Sequence, residues 1–254
     1  MNNNPNNAQG LGSIVEEYVM DTARARGQWP SMVLLILAGL AGVGVGIFGY
    51  FSGEDPDIII VAILGAIPLF LGLRWLQGSQ SSRNWKIVVF EKGIAYHQHG
   101  QSGQFRWTEI AAVYQNIRKT HKGTLTAIFK IILDNDTKLQ FDQTYKDIRK
   151  LGTMVQQQVA THRYQEFWDA YQNGATLPFN LLKLSKAGLT ARDNLLPWDE
   201  VDTVDFHYHI ATVHKKGRKI RWEQVNITLL PNVLLLTRLL SEILGHTIDN
   251  SKLY

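Results

Sequence analysis

The sequence predicts an α+β protein: an N-terminal transmembrane helical hairpin followed by two small antiparallel β units, each closed by a C-terminal helix. Three observations predict this. Residues 31–52 read SMVLLILAGLAGVGVGIFGYFS without a charge, and a second apolar run covers Ile58–Leu73. From Trp85 onward the apolar residues recur with period two, the signature of half-buried strands. That β-rich pattern, ended by a helical one, occurs twice.

Residues 1–30 are expected to form a cytoplasmic tail. Its first dozen residues are rich in Asn and Gly, a composition that does not build a core. No basic segment precedes an early apolar stretch, so a secretory signal is not expected. Ser13-Ile14-Val15-Glu16 has capping-box spacing, and Ile14, Val15, Tyr18 and Val19 share one helical face. Together they predict a short amphipathic helix.

Residues 31–76 are predicted to be the hairpin. A helix needs about 20 apolar residues to cross a hydrocarbon core of about 30 Å. The first run meets that length; the second meets it when Arg74 snorkels and Trp75-Leu76 are counted. The acidic turn Glu54-Asp55-Pro56-Asp57 joins them, and Trp29, Tyr50, Trp75 and Trp85 flank the runs as interfacial aromatics do. Gly42-x-x-x-Gly46, with Gly65 on the second run, predicts close helix packing, either inside the pair or with a second copy of the chain. Pro68 predicts a kink. Apart from Arg74 neither run holds an ionisable side chain, which fits an anchor rather than a transport path.

Residues 77–254 hold 23 Lys+Arg against 16 Asp+Glu, a net +7, while the inter-helix turn is acidic. Arg24 and Arg26 precede the first run; Arg74, Arg83 and Lys86 follow the second. The positive-inside rule then places both termini in the cytoplasm of a multi-pass cell-membrane protein. The chain has no cysteine, which excludes disulfides, thiolate metal sites and cysteine nucleophiles.

Gly78–Ser82 reads as a flexible linker. The first β unit is expected over 84–173: strands at 85–90, 94–96, 104–107, 109–117, 125–133 and 137–141, then a long helix. Thr144 and Asp147 resemble its cap, Ile148, Leu151, Val155 and Val159 its apolar stripe, and Asn173-Gly174 its stop. At nearly 30 residues it would run about 43 Å, longer than one small sheet. Its first half is therefore expected on the preceding sheet, and its aromatic second half (Tyr164, Phe167, Trp168, Tyr171) on the next unit. The second unit, 174–250, has strands at 181–185 and 189–191, a Trp motif near 198, and a helix over Pro231–Leu244 ended by Gly245. Glu91-Lys92-Gly93-Ile94 aligns with Lys186-Ala187-Gly188-Leu189, and Arg106-Trp107-Thr108-Glu109-Ile110 with Pro197-Trp198-Asp199-Glu200-Val201. The Gly-to-Trp spacing is 14 residues in one copy and 10 in the other.

These motifs resemble those of bacterial pleckstrin-homology-like (PH-like) domains. Two membrane helices followed by two such domains is similar to an uncharacterised bacterial membrane-protein family known only as a domain of unknown function. The resemblance covers about residues 31–246, and Phe90-Glu91-Lys92-Gly93-Ile94 and Phe105–Ile110 carry it. It implies two nearly orthogonal sheets per domain, a small sandwich or barrel with one helix plugging its open end, and structural roles for Trp107 and Trp198. It supplies no catalytic residue. Eukaryotic relatives bind phosphoinositides through a basic loop between their first two strands; the corresponding turns, Glu91-Lys92-Gly93 and Lys186-Ala187-Gly188, are only weakly basic.

The densest basic stretch is a predicted hairpin with Gly217 in its turn. Its Lys215, Lys216, Arg218, Lys219 and Arg221 are the candidate anionic-lipid contacts, since each base near an anionic leaflet contributes roughly 1 kcal/mol. His97/His99 and His207/His209 would each share a strand face if extended and are weighed as a metal site, with exposed strand or turn histidines as the preferred reading. No phosphate loop, Gly-x-Ser-x-Gly or His-Glu-x-x-His occurs. Neither enzyme activity, cofactor, metal nor nucleic acid is expected. The expected function is a membrane-anchored binding module facing a cytoplasmic protein partner or anionic lipid headgroups. The alternative is an assembly protein that forms homo-oligomers through its glycine-rich helices.

Overall fold

The computed structural model describes residues 10–21, 29–53, 59–82, 85–119, 124–207, 209–218, 220–249 and 253. The chain separates into two compact units. One is built around two helices, α1 (Trp29–Phe51) and α2 (Ile59–Ser82), together with the strand ends around residues 96–103. The other contains the rest of the β structure and the two C-terminal helices.

In the helical unit, α1 carries a stretch, Pro30–Phe51, long and apolar enough to cross a membrane, with a mean hydropathy of 2.4. Only 22% of that stretch is buried. A core helix of a water-soluble protein would be covered; here Leu34, Leu37, Phe48 and Phe51 lie exposed. The apolar part of α2, Ile59–Arg74, is shorter, and Pro68 lies inside the helix. Glycines let the two backbones meet. A Cβ on Gly42 would stand 2.9 Å from the Gly65 Cα, and one on Gly46 would overlap Ala62. One on Gly39 would overlap Leu69, whereas Gly44 faces open space. The predicted linker Gly78–Ser82 is instead the last stretch of α2.

The β unit holds two modules of one design. The first contains β1 (Ile14–Val19), β2 (Lys86–Phe90), β3 (Gly93–Gln98) and β4 (Gln101–Arg106) in sheet order β1-β2-β3-β4. A 3-10 turn (Trp107–Glu109) leads to β5 (Ile110–Lys119), β6 (Leu125–Leu133) and β7 (Lys138–Phe141), which form a second antiparallel sheet. Helix α3 (Ile148–Gln172) closes the module. The second module repeats this: β8 (Leu177–Phe179), β9 (Leu182–Ser185), β10 (Gly188–Ala191) and β11 (Asn194–Pro197) form the four-stranded sheet. A 3-10 turn (Trp198–Glu200) then opens β12 (Val201–His207), β13 (Ile210–Lys215) and β14 (Glu223–Asn226), and α4 (Val233–Leu244) closes it. All four sheets are open at their edges, not closed barrels.

Four further expectations are corrected. The amphipathic helix at 13–19 is strand β1, so residues 1–30 are not simply a tail. Val15, Tyr18 and Val19 favour extended backbone. The Ser13 carbonyl accepts from the Glu91 N–H, and the Ser13 N–H donates to the Glu91 carboxylate instead of making a helix cap. The helical pair is thus inserted in the chain between the first and second strands of module one. Thr144 and Asp147 do not form a cap: Asp147 is left-handed (φ 55°) with no side-chain bond to the helix, and the Thr144 N–H donates to Asp142. The last helix starts at Val233, not Pro231. The strand foreseen from Glu109 begins at Ile110, after the 3-10 turn.

Trp107, Phe129, Phe141, Ile110, Ile131 and Leu151 are fully buried in module one. Gly152 of α3 gives the Phe129 ring its place, since a Cβ there would overlap the ring. In module two, Leu182, Leu184, Leu189, Val213, Leu236 and Leu239 form one core. Tyr164, Phe167 and Trp168 from the second half of α3 pack on that core, as the length of the helix required. Strand β5 is an edge of its sheet. Its outward groups are taken by Asn232, whose N–H donates to the Val113 carbonyl (2.9 Å) and whose Oδ1 accepts from the Val113 N–H (2.8 Å). Arg163 donates to the Ile110 and Ala111 carbonyls of the same edge.

Candidate functional site

The two Trp motifs are matching pins. Trp107 donates its indole N–H to the Glu91 carbonyl (2.9 Å), and Trp198 donates to the Ser185 carbonyl (2.7 Å). In each module the glycine before the second hairpin strand faces the residues just ahead of the Trp. A Cβ on Gly93 would overlap the Phe105 carbonyl, and one on Gly188 the Leu196 carbonyl. Both tryptophans hold strands together.

The motif glutamates then diverge. Glu109 folds back and accepts from the Arg106 N–H at 2.6 Å. The equivalent of Arg106 is Pro197, which has no N–H to give. Glu200 instead pairs with Lys215 at the end of β13. The carbonyls keep their equivalence: Glu109 accepts from the Asp134 N–H (2.9 Å) and Glu200 from the Lys216 N–H (2.8 Å). The turn at Asp134–Asp136 and the turn beginning at Lys216 therefore occupy one place in the repeat, with opposite charge.

This places the basic candidates. Lys215 is committed to Glu200 and is half-buried, so it belongs to the base of the hairpin. The Arg218 N–H donates to the Lys215 carbonyl (3.1 Å) and Gly217 is left-handed (φ 73°), which closes a tight turn. The Trp222 N–H donates to the Val213 carbonyl (2.8 Å) and rejoins the strand. Lys216, Arg218 and Arg221 are exposed on this loop; Lys219 lies outside the described residues. Ile220 stands among them at 78% exposure. Sequence reasoning overlooked Ile220, although an apolar residue inside KKGRKIR is visible without a structure. It also overlooked Arg192, 4.0 Å from Glu223 at the foot of the same loop.

The histidine pairs do not form on strand faces. His97 lies in β3 and shares a 2.7 Å hydrogen bond with the Ser102 hydroxyl. His99 is past the strand, left-handed (φ 53°), with its ring 4.0 Å from that of Trp85. His207 ends β12 and His209 lies in the following turn. Among the described residues no three His, Asp or Glu side chains gather as a metal site requires.

A cleft of about 480 Å³ opens on the face of β5 and β6, lined in part by Tyr114, Asn116, Lys130, Gln140, Asn180 and Thr228. Its described lining contains neither a carboxylate nor a histidine; its ionisable side chains are Tyr114 and Lys130, cross-strand neighbours on β5 and β6. On α3, Tyr164, Trp168 and Tyr171 stack in sequence, with Arg238 over Tyr164 (3.9 Å) and Lys186 over Tyr171 (4.3 Å). Burial pushes the Tyr164 and Tyr171 hydroxyls above their usual range, which keeps these rings neutral. The ladder is cation–π packing along the helix. Gly42, Gly46 and Gly65, the helix-packing candidates, all lie where α1 and α2 touch.

A comparison with characterised proteins finds no match. Over residues 1–247 the sequence matches a family of unknown function, and the chain is a member of that family, DUF6585.

Proposed function

We propose that this chain is a membrane-anchored, non-enzymatic binding protein. On this reading α1 and α2 form a hairpin in the cell membrane, with both termini in the cytoplasm. The two modules, each a four- plus three-stranded pair of sheets with a closing helix, are PH-like domains. They present their surfaces to a cytoplasmic protein partner or to the anionic leaflet. The observation that carries the reading is the uncovered apolar surface of α1, which water would not tolerate and lipid would. Chain connectivity supports the topology: β1 before the pair and β2 after it are neighbours in one sheet, so the hairpin must leave and return on one side of a bilayer. The assembly reading loses its best surface, because Gly42, Gly46 and Gly65 serve the contact inside the pair.

Two measurements test this. After carbonate extraction the full chain should remain in the membrane pellet. The chain has no native cysteine, so single sites can be labelled. In intact cells a membrane-impermeant maleimide should modify Ser52→Cys and spare Asn135→Cys. Recovery in the supernatant, or the opposite labelling, would overturn the reading.

A further inference from the structure

We propose that the loop from Lys216 to Arg221 is a bilayer-docking tip, in which Ile220 enters an anionic leaflet while Lys216, Arg218 and Arg221 hold lipid headgroups. This rests on the membrane-anchored reading and names the ligand of one module.

Three observations meet at this loop. First, its charge is unspent. Lys215 is neutralised by Glu200, and Arg192 stands by Glu223 below the loop, but Lys216, Arg218 and Arg221 lie exposed with no carboxylate in the stretch 215–222. Second, Ile220 is 78% exposed at the same place. A purely anionic partner would use the three bases and leave the Ile side chain in water. A bilayer offers both anionic headgroups and, a few ångströms deeper, hydrocarbon. Third, the duplication supplies an internal comparison. The equivalent turn of module one carries Asp134 and Asp136 and no base, so the two modules differ in charge at one structural position. At this position of the repeat the basic charge belongs to module two.

The base of the loop is built to hold it. The Lys215–Glu200 pair, the Lys216 N–H on the Glu200 carbonyl and the Arg218 N–H on the Lys215 carbonyl fix where the tip leaves the sheet. Pro197 has no N–H to offer Glu200, unlike Arg106 ahead of Glu109, and the Glu200 carboxylate is paired with Lys215.

The test uses the full chain with Ile220→Cys carrying an environment-sensitive fluorophore, mixed with vesicles of phosphatidylcholine alone or with phosphatidylglycerol added. Asn135→Cys in the acidic turn is the control. The expected result is a blue-shifted emission, quenched by lipid-borne quenchers, for residue 220 in anionic vesicles only, and an aqueous emission at residue 135 throughout. In the Ile220→Cys background, Lys216→Gln, Arg218→Gln and Arg221→Gln together should lower the ratio of docked to free tip roughly a hundredfold. A tip whose emission is the same in both lipid mixtures, with the chain sedimenting with the vesicles, overturns the docking proposal and spares the anchor. A chain left in the supernatant with both lipids overturns both. A blue shift produced equally by polyglutamate or RNA without vesicles also overturns the assignment to lipid.

Discussion

Replacing Asn232 by Ala should cost more than any other single side-chain truncation outside the two cores. Asn232 is buried and left-handed (φ 50°), and it occupies the edge of β5 as a neighbouring strand would. Its Oδ1 accepts from the Val113 N–H at 2.8 Å, and its Nδ2 donates to the Ala111 carbonyl at 3.0 Å. Without the amide the Val113 donor is buried and unpaired, at about 1–3 kcal/mol. The Ala111 carbonyl keeps Arg163 at 3.3 Å, so its loss is the smaller, about 0.5–1 kcal/mol. Alanine must also hold a left-handed backbone, at about 1–2 kcal/mol. The total is about 2.5–6 kcal/mol, a large share of the stability of a typical domain. Glycine at this position should recover only the backbone part. Urea unfolding of the full chain in detergent, followed by tryptophan fluorescence, measures both variants. A loss below 1 kcal/mol in Asn232→Ala, or wild-type stability in Asn232→Gly, would refute the edge-capping argument.

Gly188→Ala should destabilise module two by about 1–3 kcal/mol, because the new Cβ meets the Leu196 carbonyl; urea midpoints unchanged by the substitution would refute this pin. In the helical pair, Gly46→Leu should lower the melting temperature in detergent while Gly44→Leu leaves it in place, since only the first meets the partner helix; equal effects would refute the packing. Glu16 accepts from Lys150 on α3 and from the Tyr18 hydroxyl, and the Lys150 bond holds its carboxyl below the ordinary 4.5. Its folded pKa is therefore lower than its unfolded one, so its contribution is complete above pH 4.5 and fades as the pH falls through the folded value. The hydrogen-exchange protection of β1, corrected for the intrinsic pH dependence of exchange, should fall in that acid window in the native chain, and Glu16→Gln should lose the step.

Much of this was legible in the sequence where one physical signal dominates. The uncharged run of α1, the aromatic stripe of α3 and the Asn173-Gly174 stop all lie where composition and period put them. The tryptophan motif located the strand corners because Gly and Trp serve one device: a close strand crossing, and a ring whose N–H reaches across it. Legibility failed where local and long-range signals competed. Ser13–Glu16 has the spacing of a helix cap, yet the bond that decides the matter runs from Glu91, 78 residues away. Glu200 and Lys215 could not be paired from sequence either, since they meet only because β12 pairs with β13 in a register that sets Val201 opposite Lys215. The conditional strand-face pairing of the histidines is not met, because His99 and His209 fall just past their strands, where alternation no longer sets the direction of a side chain.

The inserted hairpin follows from counting strands. Module two needs four strands in its first sheet, and it takes β8 from the residues directly ahead of β9. If module one is built alike, its first sheet needs a strand ahead of β2, but the preceding residues are α2, which is spent on the apolar pair. The missing strand must come from upstream of α1, and Ile14–Val19 is the β-branched stretch that supplies it. An insertion of this kind is tolerated because its two ends belong to neighbouring strands, so the sheet supports the joint wherever the inserted chain goes. The helical pair, entered from β1 and left into β2, is therefore joined to module one by two chain connections rather than one. Moving β1–α1–α2 to the C-terminus would preserve every residue and reduce those two connections to one.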